Sequence, residues 1–229
     1  MATITAEEII DRAAILLHDN QTNVRWPKAT EQLGWLNDGQ QMVVLLKPDA
    51  YTQNESVQMT AGTKQSIPSN GLMLLDVPRN MGAAGTTPGK VVRRIDRREL
   101  DDQIPDWHSA TAVAAVDHYV FDIRDPRRFY VYPPSDGTGH LEQIFSAAPP
   151  AVAAIGSVIS LDDIYSVALL DYIMFRSYSK DVDYAANAAR AQFYYTAFLQ
   201  SLGRMDLIEA RQNPNLPAMM RAQAEAQQT

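Results

Sequence analysis

Residues 160–179 read SLDDIYSVALLDYIMFRSYS. Leu161, Ile164, Ala168, Tyr172 and Phe175 fall on one stripe at helical spacing, and Val167, Leu170, Met174 and Tyr178 fall on a second. Ser160 suits the N-cap, and Asp163 is placed to favour the helix dipole. A helix that is apolar on two faces needs neighbours on both, so this segment predicts the centre of a bundle. The next segment, 182–202, repeats Tyr184, Ala188, Ala191, Tyr195, Phe198 and Leu202 at steps of three and four; it is expected to close at Gly203 as a C-cap. A short helix is expected over 206–211.

The partners for these helices lie at the other end of the chain. Thr5 with Glu8 forms a capping box, and Ala6, Ile9, Ala13 and Leu16 share a face, predicting a helix over 6–18. A second helix is expected to open at Pro27 and to run to about Leu46, where Lys47-Pro48 stops it. Gly34 and Gly39 within it mark candidate close contacts.

Between residues 49 and 156 the apolar runs shorten and Pro and Gly accumulate, which predicts strands. The candidates are 56–60, 72–77, 91–95, 119–123, 129–132 and 141–146. Turns are expected at Asp125-Pro126-Arg127 and over 133–137, a mobile surface loop over 81–88, and a return linker over 147–156. The fold class is therefore α+β: a discontinuous antiparallel helical bundle (1–48 with 157–212) carrying a β-rich insertion (49–156), followed by an extended tail (213–229). Neither helix pair can bury its stripes alone.

The formal charge of −7 makes the surface unattractive to a polyanion unless a local basic patch overcomes it. The dense candidate is Arg93, Arg94, Arg97 and Arg98. Read along a strand, these four disperse to both faces, and with Asp96, Glu99, Asp101 and Asp102 they suit a salt-bridged surface between subunits. The absence of cysteine excludes disulfides and thiolate chemistry. The start of the sequence has no basic region followed by an apolar core, and no segment has the length and hydropathy of a membrane span, so neither a signal peptide nor a membrane is expected.

Catalytic patterns are thin. Gly85-Thr86-Thr87-Pro88-Gly89-Lys90 partly matches a phosphate loop, but it is one residue short, Val91 replaces the metal-binding hydroxyl, and Pro88 lacks an N–H. His18, His108, His118 and His140 never stand three or four apart, so no helical metal motif exists. Asp117, Asp122 and Asp125, like Asp101-Asp102 and Asp162-Asp163, could meet as a carboxylate pair only through the fold, and caps or solvated faces explain them without chemistry. The aromatics Phe193, Tyr194 and Tyr195, and Tyr119, Phe121, Phe129, Tyr130 and Tyr132, have the spacing of core residues. No cofactor, no metal and no enzymatic activity are expected.

Four stretches add a resemblance. Ser160-Leu161-Asp162-Asp163-Ile164-Tyr165, Ala168-Leu169-Leu170-Asp171-Tyr172, the run from Arg176 to Ala185, and Phe198-Leu199 with Leu202-Gly203 resemble the helical hairpin of tailed-phage head-to-tail adaptors of the podovirus tail tubular protein A type. Arg25-Trp26, Trp35-Leu36-Asn37-Asp38-Gly39-Gln40, Asp106-Trp107-His108 and Asp125-Pro126 followed by Phe129-Tyr130-Val131-Tyr132-Pro133-Pro134 are similar too, in the same order. The resemblance implies a virion protein at the head–tail junction, assembled in the host cytoplasm. It implies a homo-oligomeric ring, commonly of twelve subunits, between the portal and the tail nozzle or tube, with tail fibres as a further partner and DNA only passing through the channel. An acidic wall would let that DNA slide. Met219 and Met220 in the polar tail suit a segment that orders on the portal or on a neighbouring subunit, or else a frayed terminus. Three other readings remain: another neck or head-completion connector, a hydrolase using Asp117, Asp122 and Asp125, and a nucleic-acid module centred on Arg93–Arg98.

Overall fold

The computed structural model describes residues 2–19, 24–181 and 185–212, and it divides into two compact units, Met1–Lys47 with Pro149–Thr229, and Pro48–Ala148. Met219, Met220 and the tail they belong to lie outside the described residues.

In the first unit, helix α1 spans Ala6–Leu16. Its capping box is complete: the Glu8 N–H donates to Thr5 Oγ1 at 3.3 Å, and the Thr5 N–H donates to Glu8 Oε2 at 2.9 Å. The helix closes two residues before the expected end. His18 takes φ 54°, and the His18 and Asp19 N–H groups turn back to the Ile15 and Ala14 carbonyls, a Schellman closure with histidine where glycine is usual.

The second helix opens differently from expectation. Lys28–Gln32 form a π-helical turn after Pro27, and α2 spans Leu33–Leu46. Of its two glycines only Gly39 is a close contact: a Cβ there would stand 3.0 Å from Tyr172 Cδ1 and 3.2 Å from Leu169 Cδ2, whereas Gly34 faces open space. Asn37 and Gln40 clamp the returning chain. Asn37 Oδ1 accepts from the Val152 N–H at 2.8 Å, and Gln40 Oε1 accepts from the Ser160 N–H at 2.7 Å.

Ser160 is not the cap: its hydroxyl donates to the Pro150 carbonyl at 2.6 Å. Asp162 caps a single 3₁₀ turn, Asp163–Tyr165, which runs into α4, Ser166–Lys180. Helices α1 and α2 both pack on α4, and so does α5, Ala185–Gln212. Leu161, Leu169, Ile173 and Met174 are fully enclosed, but Ile164 on the first stripe and Val167 at the start of the second are exposed. Aromatic rungs join α4 to α5: Tyr172 with Phe198, Phe175 with Tyr195, and Tyr178 stacked on Tyr194, at centroid distances of 5.3, 4.9 and 5.7 Å. Ascending numbers on one helix meet descending numbers on the other, so the two run in opposite senses. Helix α5 continues through Gly203 instead of ending there, and residues 206–211, expected as a separate short helix, belong to it. Glycine ends a helix by adopting positive φ, and Gly203 does not; its presence costs about 1 kcal/mol of helix propensity and no more.

The second unit contains two sheets. Strands β1 (Thr52–Gln58), β3 (Gly71–Asp76) and β7 (His140–Ala147) form one, in the order β1-β7-β3. Strands β2 (Gly62–Ser66), β6 (Arg128–Ser135), β5 (His118–Phe121) and β4 (Arg93–Arg94) form the other, in that order. Leu74, Leu141 and Phe145 from the first and Tyr119, Phe129 and Val131 from the second share one core. The unit's two ends lie side by side, with the Ala147 N–H donating to the Tyr51 carbonyl at 3.0 Å.

Several expectations need correction here. Pro133 and Pro134 belong to β6 and not to a turn; they sit beyond Tyr132, the last β6 residue paired with β5, where a missing N–H costs no ladder bond. The turn proper is carried by Gly137, at φ 88°. Strand β2 was not expected at all, because Gly-Thr-Lys-Gln-Ser has no apolar alternation. The 81–88 loop is tied at its base by buried Asn80, whose N–H donates to the Lys90 carbonyl and whose own carbonyl accepts from the Gly89 N–H. The Arg93–Arg98 run is not one strand: Asp96 Oδ1 accepts from the Arg98 N–H at 2.8 Å and caps a short helix, α3, over Arg97–Gln103.

Candidate interface in the sheet unit

Strand β4 runs parallel to β5, with Arg93 opposite His118 and Arg94 opposite Tyr119. Parallel pairing sends both chains out at the same end of the sheet, so α3 and the β5–β6 turn emerge together. The sheet's alternation then separates two faces at β5. Tyr119 enters the main core, while Val120 meets Leu100 and Trp107 in a second, smaller one. Trp107 is fully buried, donates its indole N–H to Asp101 Oδ1 at 2.7 Å, and stacks on His108 at 3.6 Å. The Asp106-Trp107-His108 motif is thus the bolt that seats α3 on the sheet.

A cleft of about 350 Å³ opens between α3 and the turn. Its floor holds Phe121 and Tyr130, with the Arg94 and Arg97 guanidinium carbons 5.9 and 5.2 Å from those rings. Arg98, Arg124 and Ile123 stand at its edge, and Ile123 is 72% exposed. Arg97 also reaches Asp101 at 3.7 Å, and Arg124 makes hydrogen bonds of 2.6–3.1 Å to Asp122. Those hydrogen bonds from Arg124 hold the Asp122 carboxyl down at about 2, so it is ionised at neutral pH. Arg93, Arg94, Arg98 and Arg127 have no carboxylate at ion-pair distance among the described residues.

Of the residues singled out from sequence, Arg94, Arg97 and Arg98 come together at this cleft, while Arg93 and Asp102 are exposed outside it. Asp101 faces Trp107. The helix was legible in Asp96-x-x-Glu99, a capping pattern, and in the four-residue step from Arg97 to Asp101. Arg124 and Ile123 were missed, because only the fold carries them across from another turn.

Lys90 is followed by no helix and its ammonium lies 2.5 Å from Asp117 Oδ1, so the phosphate-loop likeness has no structural counterpart. Asp122 and Asp125 pair with Arg124 and Arg128. Asp163 accepts from the Thr3 N–H, the Thr3 hydroxyl and the Ile4 N–H. His108 Nδ1 lies 2.9 Å from Thr63 Oγ1, and His118 packs against Tyr132. Among the described residues no three His, Cys, Asp or Glu side chains gather as a metal site, and no helix is long and apolar enough to cross a membrane.

The first unit has a pocket of about 520 Å³ bordered by Arg25, Trp26, Tyr178, Asp181, Asn187 and Arg190. Arg25 pairs with Asp181, and Asn187 Nδ2 donates to Asp181 Oδ2 at 2.8 Å. Those contacts tie the start of the α2 region to the end of α4, which gives the Arg25-Trp26 motif a structural role.

Compared with known families, residues 4–221 match the family described as SU10 adaptor protein. No curated protein matches the chain.

Proposed function

The chain belongs to the SU10 adaptor protein family and is a phage structural adaptor, a virion component that joins other head and tail proteins; from that premise we propose that it forms the ring linking the portal to the tail nozzle or tube. In this reading about a dozen copies enclose a channel through which DNA passes. The discontinuous helical unit makes the body of the ring, and the sheet unit meets the downstream partner. The observation that carries the reading is the extent of the family match, which takes in both units and not one alone.

The residues the family resemblance rests on fit a scaffold. Leu36 is fully buried, Asn37 and Gln40 clamp the returning chain, Gly39 allows close approach to α4, and Asp38 reaches Arg176 at 3.9 Å. The acidic balance suits a passage for a polyanion.

Mass measurement and electron microscopy of the full chain, alone and mixed with portal rings, test the proposal. A closed ring seated on portal is the expected result. A chain that stays monomeric and leaves portal unbound would remove it, and association in another stoichiometry at another neck position would favour the connector reading.

A further inference from the structure

The cleft between α3 and the β5–β6 turn combines features that the scaffold does not use. Arg94 and Arg98 are exposed without carboxylate partners among the described residues, and both line the cleft together with Arg97 and Arg124. Beneath them lie two aromatic rings, and Ile123 projects at the rim with most of its surface in water. An isolated apolar side chain on a surface needs no explanation, but one set beside a pocket with an aromatic floor and four guanidinium groups does.

We propose that this cleft is a docking site for a short acidic segment of a partner protein, with carboxylates flanking one apolar side chain. This inference rests on the adaptor reading, which supplies neighbouring proteins. Guanidinium forks match carboxylates two bonds at a time, and Arg94 and Arg98 are free to do so. Ile123 and the edges of Phe121 and Tyr130 provide an apolar seat between those charges. Burying such a seat inside an arginine rim is the usual anatomy of an energetic anchor.

Nucleic acid fits the same arginines less well. The ring faces on which bases would stack are already taken by Arg94 and Arg97. The arginines also close around a walled pocket, whereas a backbone-tracking surface extends along a groove. At a chain charge of −7, a short peptide with few carboxylates is opposed far less than a long polyanion.

The test uses the purified full chain and fluorescence anisotropy with three labelled probes: a short peptide alternating Glu and Asp around one Phe, its Gln and Asn counterpart, and oligo(dT). The acidic peptide should bind, with an affinity that falls as salt rises, and the amide peptide should not. Arg94→Glu with Arg98→Glu should weaken the acidic peptide by at least about tenfold, while Arg12→Glu, on α1, should leave it unchanged. Circular dichroism and the urea midpoint keep these variants honest as folded proteins, and Arg98→Lys, which keeps the charge but loses the fork, should fall between. Equal binding of the amide peptide, no effect of the double reversal, or oligo(dT) displacing the acidic peptide would each overturn the proposal. Portal binding is read separately: a chain that seats on portal but ignores the peptide loses the cleft assignment alone, and one that binds the peptide but not portal loses the adaptor position alone.

Discussion

Asn80 and Val116 hold each other by two hydrogen bonds of opposite direction. The Val116 N–H donates to Asn80 Oδ1 at 2.9 Å, and Asn80 Nδ2 donates to the Val116 carbonyl at 2.8 Å. The same Nδ2 donates to the Lys90 carbonyl at 2.9 Å, so one buried amide closes the 80–90 loop and fixes it to the approach to β5. Asn80→Leu keeps the volume but strands the Val116 N–H and carbonyl, and it should cost about 3 kcal/mol, because each buried orphan costs about 1–3 kcal/mol. A urea unfolding midpoint within error of wild type would contradict the assignment.

The two glycines of α2 should respond with opposite sign. Gly34→Ala meets nothing and removes a poor helix former, for a gain of up to about 1 kcal/mol. Gly39→Leu must drive its side chain into Tyr172 and Leu169, a loss of about 1–3 kcal/mol or more. Paired thermal melts measure both.

His18 occupies a backbone region that suits glycine, at φ 54°, where it ends α1. Its side chain is exposed, so His18→Gly exchanges little packing for relief of that conformation and should stabilise by roughly 0.5–1 kcal/mol. His18→Val, with a branched Cβ in the same place, should destabilise instead.

Hydrogen bonds from Thr3 and Ile4 hold the Asp163 carboxyl below its ordinary value of 3.8. A carboxyl depressed in the folded state stabilises above its unfolded value and loses that contribution as pH falls through the folded one. Protection of the Thr3 and Ile4 amides from hydrogen exchange, corrected for intrinsic rate, should therefore be flat above pH 3.8 and decline below it. Asp163→Asn should lower protection throughout and abolish that acid limb. An unchanged acid limb in the variant would assign the effect to another group.

How much the sequence revealed depended on whether the deciding contacts were local. Helix α1 and the stop of α2 were legible because a capping box and a proline act within one turn of the chain. The core strands showed themselves through Leu74, Phe129, Val131 and Phe145. Strand β2 was invisible, since it is placed by pairing with β6 and by buried Gln65, whose Oε1 accepts from the Thr60 N–H at 2.8 Å, and not by apolar residues of its own. Helix α3 was readable from its cap, but the arginine run drew it into a strand. The cleft could be seen only in part, because Arg94 and Arg97 are near in sequence while Phe121, Ile123 and Arg124 reach it by the parallel pairing of β4 with β5.

The bond between Tyr51 and Ala147 has a further consequence. A unit whose first and last residues are neighbours makes no demand on where its host chain is cut, because it leaves through the gap by which it entered. Pro48–Ala148 should accordingly behave as a cassette: expressible by itself with adjacent ends, or exchangeable for another sheet without rethreading the helices. Such a joint lets half of the molecule be rewritten while the rest is inherited intact.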